Sequence, residues 1–224
     1  MRPGRGYRPA RAGSVVGMGF VREERAALAA TLGEVGPDAP TLCAGWTARD
    51  LAAHLVLREG RPDAMPGILL PPLRGYTARV QDRIAAGDFD ALRDKIRTGP
   101  PWYSPFRLVD EQANLTEYVV HHEDVRRGGA DWSPREISDS LAKALWKAAG
   151  AVAKIGYRGI GVPVRLERTG GGIHTVGRGD GEPVVIRGEP MELLLHAFGR
   201  DAVSVTFDGP ADAIAAVESA KRGF

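Results

Sequence analysis

The feature that most limits the fold is a change of pattern near Gly156. Before it, apolar residues recur at three- and four-residue intervals, the spacing of helices. From Gly161 onward they fall in short runs divided by glycines, the spacing of strands. The chain therefore reads as α+β: an all-helical domain over 18–155, then a small α+β domain over 160–224. The helical half predicts helices over Phe20–Val35, from an N-cap at Thr47 to about Glu59, over 77–86, 89–97 and 108–127, and from Ser133 to about Lys154. Thr47 with Asp50 three residues on has the form of a capping box. Ser133-Pro134 has the form of an N-cap followed by proline at the first helical position. The proline-rich stretch 61–75 reads as a rigid connection, a pocket wall or lid. The second half predicts strands at Val162–Arg168, Gly172–Val176, Pro183–Ile186 and around Val203–Phe207, with helices at Pro190–Phe198 and 210–221. Gly170-Gly171-Gly172 and Gly177-Arg178-Gly179 precede no helix and read as hairpin turns rather than phosphate loops.

Charge adds little by its total. The net is +2, but Arg2, Arg5, Arg8 and Arg11 lie in a segment with no acid; without those four, 26 basic residues face 28 acidic ones. The body is slightly acidic, which gives no support to nucleic-acid binding. Residues 1–17 read as a disordered extension, and Met18 as a candidate start. Cys43 is the one cysteine, so an internal disulfide and a multi-cysteine zinc site are both excluded. With no membrane span and no apolar signal core in the sequence, a cytoplasmic location is expected.

The helix over 108–127 carries the chemistry. Asn114, Glu117, His121 and Asp124 follow one another at i, i+3, i+7 and i+10, and so share a face. Glu117 and His121, four apart, can aim a carboxylate oxygen and an imidazole nitrogen at one point, a spacing that suits a divalent metal. The same spacing is also that of a surface ion pair. A third ligand has to come from another helix, and His54, next to the apolar Leu55, is the candidate. Two histidines and one glutamate leave a tetrahedral position open, as in catalytic rather than structural zinc sites. His122 and Glu123 read as solvated neighbours, Cys43 as a small loop or core residue, and Trp46 as a core or staple residue.

The run Gly45-Trp46-Thr47-Ala48-Arg49-Asp50-Leu51-Ala52-Ala53-His54 resembles the Gly-Trp-(Ser/Thr)-x-x-Asp-Leu-x-x-His motif of the DinB-like superfamily. More narrowly it is similar to the mycothiol-dependent maleylpyruvate isomerase family of actinobacteria, whose Glu-x-x-x-His motif matches Glu117 to His121. The wording of Pro37–Asp50, Gly99–Pro105 and His121–Arg127 looks closest to an uncharacterised metal-binding branch. The resemblance implies an up-down-down-up-type four-helix bundle followed by a small sterol-carrier-like domain. It implies that His54, Glu117 and His121 bind a divalent metal, zinc first, and that an arginine from the C-terminal part approaches the site. Arg200 is the match, as a catalytic residue holding a substrate carboxylate; its other reading is a helix-terminal arginine complementing the dipole. Asp124 and Asn114 would orient the ligands.

Two functional classes fit the sequence, beside a third reading in which the bundle is metal-free and Glu117 and His121 merely pair. In the first, metal activates a small thiol, mycothiol in the related enzymes, for addition to an electrophile in an isomerase or S-transferase. In the second, the chain is a non-catalytic metal-dependent ligand-binding or regulatory module. The expected partners are a small thiol and an electrophilic substrate, with no nucleic acid or membrane, and with the chain as monomer or homodimer.

Overall fold

A computed structural model describes residues 15–68, 70–104, 106 and 111–222. Six α-helices come first: α1 (Val15–Val35), α2 (Ala48–Gly60), α3 (Arg74–Ala85), α4 (Phe89–Thr98), α5 (Glu111–Arg126) and α6 (Asp139–Gly156). Two short 3-10 turns, Met65–Ile68 and Pro71–Leu73, fill the proline-rich connection between α2 and α3. The remainder is β1 (Val164–Arg168), β2 (Ile173–Val176), β3 (Val184–Gly188), α7 (Pro190–Ala197), β4 (Val205–Asp208) and α8 (Ala211–Ser219). The helical part followed by a small mixed sheet is the α+β arrangement that the change of period indicated. Residues 1–14 of the expected extension lie outside the described residues. Val15–Gly17 open α1, five residues ahead of the expected start at Phe20.

Leu28 and Leu32 of α1, Leu51 and Leu55 of α2, Leu92 and Ile96 of α4, and Tyr118 and Val125 of α5 form the bundle core. A buried polar cluster crosses it. Arg25 donates to Glu59 and, at 2.7 Å, to the Tyr118 hydroxyl. Helix α6 joins the two halves. Its Leu145, Ala148 and Ala149 pack with Val119 of α5 and Leu194 of α7, and its Ala153 enters the sheet core with Val164, Leu166 and Ile186.

The sheet order is β2-β1-β3-β4, antiparallel at both edges and parallel between β1 and β3. Gly170–Gly172 form the β1–β2 hairpin, and all three take positive φ, which suits glycine. Gly177–Gly179 do not form a hairpin. Because β3 runs parallel to β1, the chain after β2 has to pass β1 before re-entering the sheet, and a Cβ at Gly179 would lie 2.3 Å from the Gly161 carbonyl.

Two further expectations are corrected. Helix α6 begins at Asp139, with Ser138 accepting from the Leu141 N–H at 3.3 Å, rather than at Ser133-Pro134. Arg135 is the physical reason. Its Nε lies 2.8 Å from Glu123, and its other end bonds Glu24, which draws the segment across α1 and α5. His122 and Glu123 are buried, not solvated. His122 Nδ1 donates to Glu24 at 2.7 Å and its Nε2 accepts from Thr31 at 2.9 Å. Glu123 pairs with Arg126, Arg127 and Arg135.

Arg127 clamps the halves together. Its side chain is wholly buried; Nε donates to Glu123 at 2.7 Å, Nη1 and Nη2 grip Glu192 of α7 at 2.8 and 2.6 Å, and Nη1 also reaches the Ala202 carbonyl at 2.7 Å. Among the described residues, no helix is long and apolar enough to cross a membrane.

Candidate metal centre

The site begins with a helix start. Thr47 caps α2: its hydroxyl accepts from the Asp50 N–H at 3.4 Å, and the Asp50 carboxylate accepts from the Thr47 N–H at 2.9 Å. This reciprocal pair fixes the first turn of α2, and His54 follows on the face turned to α5. The preceding loop is fastened to α5 by the Leu42 N–H donating to the Asp124 carbonyl at 3.0 Å. Gly128 permits the approach, because a Cβ there would lie 2.0 Å from the Pro40 carbonyl oxygen.

Glu117 and His121, one turn apart on α5, meet His54 across the helix–helix contact. His121 Nε2 lies 3.3 Å, and His54 Nε2 3.8 Å, from the same Glu117 oxygen, Oε1. One donor atom from each of the three falls within 4.8 Å of the other two. Bonds of 2.0–2.2 Å at tetrahedral angles separate neighbouring zinc ligands by roughly 3.4 Å, so a cation fits between these donors with small rotamer adjustments. The set of two nitrogens and one oxygen suits zinc.

Asp124 fixes the His121 ring. A carboxylate only accepts, so His121 Nδ1 carries the hydrogen toward Asp124 Oδ2 at 2.9 Å, and Nε2 is the nitrogen turned to Glu117. A carboxylate behind a histidine is the arrangement that orients metal ligands. Burial alone would raise the Asp124 carboxyl, but hydrogen bonds from Arg200 and His121 outweigh it and hold the group at about 2. Burial likewise opposes charge on Glu117, yet hydrogen bonds from His121 and His54, with the charge of Arg58, keep it well below the usual carboxylate range. For His121, burial disfavours the charged ring, and hydrogen bonds to Asp124, Cys43 and Glu117 prevail and push its pKa upward.

Arg200 arrives from the turn after α7. The structure gives it a partner within the protein: Nε and Nη2 hold the two Asp124 oxygens at 2.8 and 2.6 Å, and Nη1 donates to the Phe198 carbonyl at 2.9 Å. Asn114 is buried, and its Oδ1 accepts from Arg58 at 3.2 Å.

Three residues join the site that the sequence did not assign to it. Cys43 Sγ donates to Asp124 at 3.2 Å and lies 3.9 Å from Arg200 Nη2, where only the tertiary fold could bring a loop cysteine. The Trp46 ring packs on His54 with centroids 5.0 Å apart. Arg58 Nε lies 3.4 Å from Glu117 Oε1. Its position four residues after His54 was a readable signal, the same spacing that joined Glu117 to His121.

Residues 21–61 match the family model described as the mycothiol maleylpyruvate isomerase N-terminal domain. The match covers α2 and most of α1 and is a likeness of this segment to that domain. The matched segment holds α2 with its capping box and His54. A likeness of fold reaches beyond the matched segment. The crystal structure of the mycothiol-dependent maleylpyruvate isomerase superposes with a TM-score of 0.59 at 15% identity, covering 87% of this chain and 93% of that one. A histidine-to-alanine mutant of that isomerase gives a TM-score of 0.57 over the same shares at 15% identity. None of the curated proteins matches the sequence.

Proposed function

We propose that the chain is a zinc-dependent enzyme that brings a small thiol, with mycothiol as the first choice, to an electrophilic substrate in an isomerisation or S-transfer. The observation that carries this reading is the convergence of His54 Nε2 and His121 Nε2 on one Glu117 oxygen, with the far nitrogen of His121 tied to Asp124. The ligand-type side chains come from two helices and leave a fourth position for a ligand from outside. The similarity to the mycothiol isomerase fold supports the same choice.

His54, Glu117 and His121 would hold the metal. When bound it supplies a Lewis acid that stabilises a thiolate at neutral pH. No protein thiol aligned with substrate is then needed. Asp124 keeps a hydrogen on His121 Nδ1, so Nε2 is the nitrogen that would give up its proton and ligate. Arg200 keeps Asp124 ionised and fixed by a bidentate grip. Trp46 covers the His54 ring and limits its rotation. The Glu117 side chain, 25% exposed beside histidines of 10% and 12%, marks the side from which ligands enter.

The test is elemental analysis combined with a thiol assay. Protein purified and soaked with zinc should hold one ion per chain, and His54→Ala should hold none. The zinc-loaded protein should add mycothiol to a supplied electrophile, or isomerise an activated cis-alkene only when mycothiol is present. Full zinc retention by His54→Ala overturns the ligand assignment.

A further inference from the structure

Arg58 is the cation at this site that the reading above leaves without a task. It stands one helical turn after His54 on α2 and shares its face. Its Nε is 3.4 Å from Glu117 Oε1, the oxygen that both histidines face. Nη1 donates to Asn114 Oδ1 at 3.2 Å, and the guanidinium carbon lies 4.4 Å from the centroid of the Phe106 ring. Its side chain is only 13% exposed, so the charge is largely withdrawn from water. Arg200 differs, because its fork is already filled by Asp124 and the Phe198 carbonyl.

The charges around the site pair off as Arg58 with Glu117 and Arg200 with Asp124. With a divalent ion in place of the His121 Nε2 proton, the two ion pairs cancel and the set carries a net charge of +2. The ion also takes the Glu117 lone pairs that face Arg58. The guanidinium is then left part-buried beside a dication, with Asn114 and an aromatic face as neutral company. A withdrawn charge without a counter-ion is costly, so the loaded site demands an anion at Arg58. Thiolate at the metal answers one of these two charges, and one more negative group answers the other. The planar fork of arginine matches a carboxylate in two parallel hydrogen bonds.

We infer that Arg58 is the carboxylate anchor of this site, handed from Glu117 to a small carboxylate ligand when the metal binds. The inference rests on the metal reading above and assigns to Arg58, not Arg200, the grip on substrate. Metal and carboxylate then bind with positive coupling, since each relieves a cost the other meets.

Calorimetry with zinc and succinate tests it, with succinamide as the uncharged control. Desalted zinc-loaded protein should bind succinate at least tenfold more tightly than zinc-free protein, and should not bind succinamide. Arg58→Met should still take one zinc, as tightly as the unaltered chain or more so because a competing cation is gone. Its zinc form should bind succinate at least tenfold more weakly. Arg58→Lys, which keeps the charge and loses the fork, should fall between the two. Zinc uptake by each variant reports an intact fold. If neither the unaltered chain nor Arg58→Met binds zinc, the metal reading fails and takes the anchor with it. If both bind zinc and hold succinate equally, the anchor is overturned while the metal reading stands.

Discussion

Removing Arg127 should loosen the two halves of the molecule by an amount the structure lets one work out. Its guanidinium is wholly buried and binds Glu123, Glu192 and the Ala202 carbonyl through contacts of 2.6–2.8 Å. Arg127→Met keeps much of the volume and strips the charge. Two buried carboxylates then lose a partner, which costs about 3–5 kcal/mol for a disrupted buried ion pair. Both keep other donors. Glu123 retains Arg126 and Arg135, and Glu192 retains the Ser204 N–H at 2.7 Å, so the lower end, about 3 kcal/mol, is expected. With a denaturant slope of about 2 kcal/mol per molar urea, the unfolding midpoint should fall by roughly 1.5 M. Adding Glu192→Leu removes the orphaned carboxylate and should restore part of the loss. Urea unfolding followed by tryptophan fluorescence reads all three proteins. A midpoint shift below about 0.3 M for Arg127→Met would refute the view that this ion cluster fastens α7 to α5.

Two more predictions concern positioning and pH. Asp124→Asn should weaken zinc binding by about 10–100-fold, because His121 loses the acceptor that fixes its ring, and a competition titration against a chromophoric chelator reads the change. Burial, assisted by the charge of Arg222, lowers His196 to about 3, so its ring stays neutral in the fold beside the Tyr157 hydroxyl at 2.5 Å. The unfolded chain binds that proton first, at about pH 6.5; stability is therefore full above that value and declines as pH falls toward 3. Melting temperatures between pH 6.5 and 5, where most carboxylates remain ionised, should fall more steeply for the unaltered chain than for His196→Gln, and equal slopes would exclude His196 as the cause.

What could be read from the sequence was what depends on near neighbours along the chain. The capping box at Thr47 and Asp50, the Glu117–His121 spacing and the hairpin glycines 170–172 each act within seven residues, and the structure has them as read. Spacing along α5 cannot show that His122 and Glu123 are buried, because their partners, Glu24 and Arg135, lie elsewhere in the chain and on other elements. Helix α5 is enclosed by α1, α6 and the Arg135 segment, so its polar residues on several sides are buried ones with partners, a condition that periodicity cannot distinguish from exposure. The start of α6 failed for the same reason: the pull of Arg135 toward α1 and α5 outweighs a good local cap at Ser133. His54 stands out by its apolar neighbours and by its motif, whereas Arg58, on the same face one turn later, has only its spacing to announce it.

The Thr47–Asp50 pair also has a clocking role. A helix advances about 100° per residue, so the first hydrogen-bonded turn sets the compass bearing of every side chain behind it. His54 and Arg58 point at Glu117 only because α2 is started at Ala48 and nowhere else. One residue inserted between the cap and His54 would swing both away from the cluster by about 100° while leaving the helix intact. Thr47 is outside the proposed ligand set, yet it holds the angular origin from which His54 and the neighbouring cation are measured. In this chain the phase of α2 is as much a part of the site as the imidazole it carries.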